Sequence, residues 1–132
     1  MRPTRILFVC LGNICRSPLA ESVFRHLAGE RGVGDRFEID SAGTSGWHQG
    51  AAPDARSVAT ARARGVEVCG ASRRLTAEDL RRFDYVIAMD RDNRANIERL
   101  QGSNGGGCRV HLLRDLENSK QAFLASDILP WP

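Results

Sequence analysis

The sequence predicts an α/β protein, a doubly wound domain in which about four parallel strands carry helices on both faces. Three observations lead there. A chain of 132 residues has room for one hydrophobic core and is short for two, so residues 1–132 read as one domain. Segments with strand and helix patterning alternate along it, as they do when crossover helices join parallel strands. Two strand candidates, residues 5–9 and 85–89, are almost wholly apolar, the composition of strands covered on both sides.

Residues 5–9 form the first of these strands, and the chain passes through Cys10 to Ser17 into a helix. Leu19, Val23, Phe24 and Leu27 recur there at helical spacing, and Pro18 suits a first helical turn, where its missing N–H costs nothing. Residues 37–42 alternate like a second strand, and residues 53–64 read as a helix that Gly65 ends. Residues 66–69 are expected to add a short extended piece. Thr76-Ala77-Glu78-Asp79 has capping-box spacing and opens a short helix through Arg82. Residues 85–89 are the next strand, and Asp90 can cap a helix that runs to Leu100. The glycine-rich residues 102–107 then connect to a last strand at 109–113. Ligands of such sheets bind beyond the carboxyl ends of the strands, which directs attention to the loop after the first one.

The composition excludes several classes of function. No apolar run is long enough to cross a bilayer, and the N-terminal residues lack the length and cleavage site of a secretory signal, so a cytoplasmic location is expected. The net charge of +3 is carried by arginine, since Lys120 is the only lysine. Those arginines are spread along the chain and interleaved with acids rather than clustered, which argues against nucleic-acid binding. Without a secretory signal, Cys10, Cys15, Cys69 and Cys108 are not expected to form structural disulfides. Neither they nor His26, His48 and His111 have the spacing of a zinc site, so neither metal nor cofactor is expected.

The loop itself reads Cys10-Leu11-Gly12-Asn13-Ile14-Cys15-Arg16-Ser17, a cysteine and an arginine five residues apart between a buried strand and a helix start. A thiol near a helix N-terminus meets oriented amides and the positive end of the dipole, which favour the reactive thiolate, so Cys10 is the candidate nucleophile. Gly12 is conformationally free and Asn13 tolerates positive φ, so the segment can curl until successive N–H groups face an anion. Arg16 offers a planar, permanently charged fork for two phosphoryl oxygens, and Ser17 can hydrogen-bond Cys10 and ease its departure. The Gly-Lys-Ser/Thr ending of a nucleotide-binding phosphate loop is missing.

With those residues in view, the sequence resembles the low-molecular-weight protein tyrosine phosphatases. The stretch from Val9 to Glu21 matches that family's signature almost residue for residue. Asp40-Ser41-Ala42-Gly43-Thr44-Ser45-Gly46-Trp47 and Asp84-Tyr85-Val86-Ile87-Ala88-Met89-Asp90 are similar to its second and third landmarks. The resemblance implies a doubly wound fold, no metal, Cys10 as nucleophile and Arg16 as phosphate binder, with Leu11, Gly12, Asn13, Ile14, Cys15 and Ser17 lining the bound phosphate. The substrate it implies is a tyrosine-phosphorylated protein or a small aryl phosphate, with inorganic phosphate as product and inhibitor. It further implies that Asn13 and Ser41 brace the loop, that Ile14 and Trp47 wall in a substrate ring, and that Cys15 can pair reversibly with Cys10.

Two departures accompany the match. The family's general acid lies in an Asp-Pro-aromatic motif, whereas here Leu129 precedes Pro130-Trp131 and the nearest acid is Asp127, two residues early; residues 1–132 are also expected to lack the family's last helix. Asp127 is therefore the candidate acid. The family's histidine before the third helix is replaced by Gly70-Ala71-Ser72, which is expected to weaken the bracing of the loop. A positioned acid contributes about 10²- to 10⁴-fold when the leaving group is a phenol. Two alternatives stay open: a non-catalytic phosphate- or phosphotyrosine-binding module, and an arsenate reductase on the same scaffold, for which Cys69 and Cys108 lack a paired motif.

Overall fold

The computed structural model describes residues 2–68, 70–102 and 108–113. In chain order the elements are β1 (Thr4–Cys10), α1 (Arg16–Glu30), a 3₁₀ turn (Gly34–Arg36), β2 (Phe37–Gly43), α2 (Ala55–Arg62), α3 (Ala77–Arg82), β3 (Tyr85–Ala88), α4 (Arg91–Gln101) and β4 (Arg109–Leu112). The four strands form one sheet in the order β2-β1-β3-β4, and every pairing is parallel. The expected α/β sheet is therefore present, with β1 in its interior.

Alternation along β1 sends side chains to both faces. Leu7 and Val9 join Val86, Ala88, Leu80 of α3 and Ile97 of α4 in the larger core. Ile6 and Phe8 join Ile87 on the opposite face, where Ala20 and Phe24 of α1 pack against them. Helices thus cover both faces, and β1 is buried on each. A smaller cluster of Ala61, Val66 and Val68, with Leu19 and Val58 packed on it, ties α2 to α1.

Local sequence sets the helix starts. Asp54 accepts from the Arg56 and Ser57 amides at the head of α2, and Asp90 accepts from the Asn93 amide at the head of α4. Thr76 and Asp79 form the expected capping box on α3. Of the extended piece expected at residues 66–69, residues 66–68 join no strand of the sheet, and Cys69 lies outside the described residues. Val66 and Val68 alternate with Glu67 because they fill the cluster between α1 and α2, not because they pair with a neighbouring strand. The glycine-rich connection is described only at Gly102, whose φ of 66° ends α4.

From β1 the chain moves to one side of the sheet to form β2, then crosses back to form β3 on the other. The loops leaving the carboxyl ends of β1 and β3 consequently diverge, and the opening between them is where ligands of doubly wound sheets bind. Residues 11–15 and the Met89-Asp90 turn occupy that opening, and the Met89 amide donates to the Val9 carbonyl at 3.0 Å.

Candidate active site

Cys10 is the last residue of β1 and is buried. Its Sγ receives the Asn13 backbone N–H at 3.2 Å and shares a hydrogen bond with Ser17 Oγ at 2.9 Å. The amide hydrogen bears on the sulfur, and the Ser17 hydroxyl can turn its own toward a thiolate, so both groups can stabilise negative charge there. Asn13 is the one non-glycine residue at positive φ, 56°, among the described residues, and that left-handed turn swings its N–H back toward the sulfur.

The Asn13 side chain holds this conformation. Its Nδ2 donates to Ser17 Oγ at 2.8 Å and to Ser41 Oγ at 3.0 Å, and its Oδ1 accepts from the Arg73 amide at 2.9 Å. Ser41 Oγ donates in turn to Glu21 Oε1 at 2.6 Å. Ser72 Oγ donates to the Gly12 carbonyl at 2.8 Å, and the Ile14 carbonyl accepts from the Asp54 amide at 2.6 Å. The weakening expected from Gly70-Ala71-Ser72 is thus countered by Ser72 itself.

Arg73 ties these supports to the rest of the fold. Its guanidinium pairs with Asp40 at 3.1 Å and with Asp79 at 2.9 Å. Burial alone would raise the Asp79 carboxyl, but its bonds to Arg73 and Thr76 outweigh burial and hold it below the usual carboxylate range. The end of β2 approaches even more closely. A methyl group on Gly43 would stand 2.8 Å from the Leu11 carbonyl oxygen and 3.1 Å from the Gly12 carbonyl carbon, so only glycine fits.

Helix α1 begins at Arg16, and its N-cap Cys15 makes no side-chain cap bond, whereas α2, α3 and α4 are each capped by a side chain. Amides of its first turn lack a side-chain acceptor, beside the sulfur and at the positive end of a 15-residue helix. Such a helix start is suited to an anion. Arg16 adds a guanidinium bound to Asp90 Oδ2 at 2.8 Å, a half-exposed pair across the opening between β1 and β3. Burial pushes the Asp90 carboxyl up, but the Asn93 amide and Arg16 more than offset this and hold it low.

Around the mouth, Leu11 is exposed and Ile14 half-buried, and the segment carrying Trp47 is pinned by the Ser45 amide donating to the Leu11 carbonyl at 2.9 Å. Trp47 is 79% exposed, so it is not packed on a helix and is open to a partner. Cys10 and Cys15 are free thiols. Asp127 lies outside the described residues. Among the described residues no group of three or more His, Cys, Asp or Glu is placed to hold a metal ion, and no helix is long and apolar enough to cross a membrane.

Sequence reading brings Cys10, Asn13, Arg16 and Ser17 forward by their spacing, but it misses Ser72, Arg73 and Asp90 as parts of the site. Ser72 acts through one hydroxyl and Arg73 through a backbone N–H, and neither leaves a pattern. Asp90 was legible as a helix cap, and its pairing with Arg16 follows only from the strand order.

Comparison with known proteins places this arrangement. The family profile described as low molecular weight phosphotyrosine protein phosphatase matches residues 5–126. The protein of that name from Sus scrofa is 41% identical over 121 residues, covering 90% of this chain and 76% of the relative. Among solved structures, YfkJ from Bacillus subtilis superposes with a TM-score of 0.82 at 38% identity, over 89% of this chain and 75% of the other. The drosophila arginine phosphatase does so with a TM-score of 0.81 at 34% identity, over 88% and 74%.

Proposed function

The chain belongs to the low molecular weight phosphotyrosine protein phosphatase family, and from that membership we propose that its own site hydrolyses aryl phosphate monoesters, phosphotyrosine among them, through a phosphocysteine intermediate. One observation carries the proposal: a buried cysteine sulfur receives an amide N–H and shares a hydrogen bond with a serine hydroxyl, beside a long helix whose start has no side-chain cap.

In the first step the Cys10 sulfur attacks phosphorus, an S–P bond forms and the P–O bond to the aryl group breaks. The phosphoryl oxygens rest against the loop amides and the Arg16 fork, which follows their charge through the transition state. The aryl oxygen leaves with the bonding pair and takes a proton, for which Asp127 is the donor assigned here. In the second step water attacks phosphorus, inorganic phosphate departs and the sulfur regains its electron pair, with Ser17 donating to it. Leu11, Ile14 and Trp47 supply apolar surface for the ring.

The test compares an activated aryl phosphate, whose leaving group needs little acid help, with a phosphotyrosine peptide, whose phenol has a pKa of about 10. Cys10→Ser should abolish turnover of both, and Asp127→Asn should slow the peptide by about 10²-fold or more while sparing the activated ester. Phosphate binding without turnover of either compound would favour the binding-module reading instead.

A further inference from the structure

The rim on the Trp47 side of the mouth carries charge that nothing described neutralises. Residues 41–53, the end of β2 and its connection to the cap of α2, contain no acidic side chain. The flanking acids are engaged elsewhere: Asp40 holds Arg73, and Asp54 caps α2. The Arg74 side chain runs along this segment, its Cδ 3.4 Å and its Nη1 3.9 Å from where a methyl on Gly46 would stand. His48 lies against the phosphate loop, its Cδ2 2.9 Å from where a methyl on Gly12 would stand. Arg74 and His48 are both exposed, and neither has an ion-pair partner among the described residues. On the other side of the mouth Arg16 is balanced by Asp90. Among the described residues Arg74 is therefore a permanent cation with no counter-charge, packed along the segment that carries the exposed indole of Trp47.

We propose that Trp47, His48 and Arg74 form a lip that selects phosphotyrosine peptides bearing an aspartate or glutamate next to the phosphotyrosine. The inference rests on the phosphotyrosine reading above. A peptide seated with its phosphate in the loop must run out across the rim, and adjacent residues of an extended chain advance about 3.3 Å each. A carboxylate one or two residues away meets the Arg74 fork, which donates to carboxylates in bidentate fashion, while a lysine there meets like charge. Trp47 adds contact area that does not depend on peptide charge.

The test uses the Cys10→Ser chain, so that binding is read without turnover. Two fluorescent phosphotyrosine peptides, one flanked by glutamates and one by lysines, are titrated by anisotropy at low and high salt, with inorganic phosphate as competitor. The acidic peptide should bind about two- to five-fold more tightly at low salt, and high salt should erase the difference. Arg74→Gln should remove the preference and Arg74→Lys should restore most of it, with competition by inorganic phosphate the same in all. Equal affinity for the two peptides, or a preference that survives Arg74→Gln together with His48→Gln, overturns the lip. Failure of both peptides to bind where inorganic phosphate does overturns the phosphotyrosine reading, and the lip with it.

Discussion

Replacing Asn13 tests how the cradle is held. Its side chain makes three hydrogen bonds, buried ones to Ser17 and Ser41 and a part-buried one to the Arg73 amide, and its backbone sits at a φ of 56°. At about 1 kcal/mol per bond, losing all three costs about 3 kcal/mol. Alanine also resists the left-handed region by about 1 kcal/mol, which glycine does not. Asn13→Ala should thus lose about 4 kcal/mol and Asn13→Gly about 3 kcal/mol, against a total of about 5–15 kcal/mol for a domain of ordinary stability. Asn13→Asp keeps the acceptor for the Arg73 amide but sets a carboxylate against the anion site, so its loss should show chiefly in phosphate affinity. Urea midpoints give the stabilities, and displacement of a bound aryl phosphate gives the affinities. An Asn13→Ala chain within about 1 kcal/mol of the native one, with phosphate affinity intact, would refute the idea that this side chain shapes the loop.

Two further outcomes follow from the same packing. Gly43→Ala drives a methyl into the backbone at Leu11 and Gly12, which cannot move aside cheaply; about 1–3 kcal/mol of stability and a measurable part of the phosphate affinity should go. Gly34→Ala, whose nearest neighbour stands 3.8 Å away, serves as the near-neutral control in the same denaturation series. Acid should loosen the Arg73 clamp. The folded Asp79 carboxyl lies below its ordinary value, so its stabilisation is complete above about pH 4 and is lost as pH falls through the depressed folded value. Asp79→Asn should therefore cost about 1–3 kcal/mol at neutral pH and flatten the acid limb of the stability curve; an unchanged limb would remove Asp79 from that account.

What could be read from the sequence divides by range. The apolar runs at β1 and β3, the Thr76 capping box and the Asp90 cap are local patterns, and each lies within a residue or so of where it was expected. The alternation at Val66 and Val68 fits a strand and a pair of plugs between helices equally well, and only the fold shows that it serves the second. In the loop, the Ser17 contact with Cys10 is short-range and was foreseeable. The supports of Asn13 and Gly12 come from Ser41, Ser72 and Arg73, and two of them act through hydroxyl groups that any serine carries. No spacing rule singles out one such residue 60 positions away from its partner.

That 60-residue reach, from Gly12 to Ser72 and from Asn13 to Arg73, also orders the birth of the site during synthesis. A ribosome delivers β1, the loop and α1 early, at about 5–20 residues per second, while every strand that will flank β1 is still to come. Until residue 73 has emerged and docked, Asn13 lacks the backbone donor that caps its Oδ1, and β1 lacks β3 on one side. The Cys10 sulfur therefore exists for some seconds while Asn13, whose amide donates to it, is still unbraced by Arg73. A nascent chain halted after α2 carries Cys10 and its loop but neither Ser72 nor Arg73, so the loop's distant supports arrive late and together with the rest of the sheet.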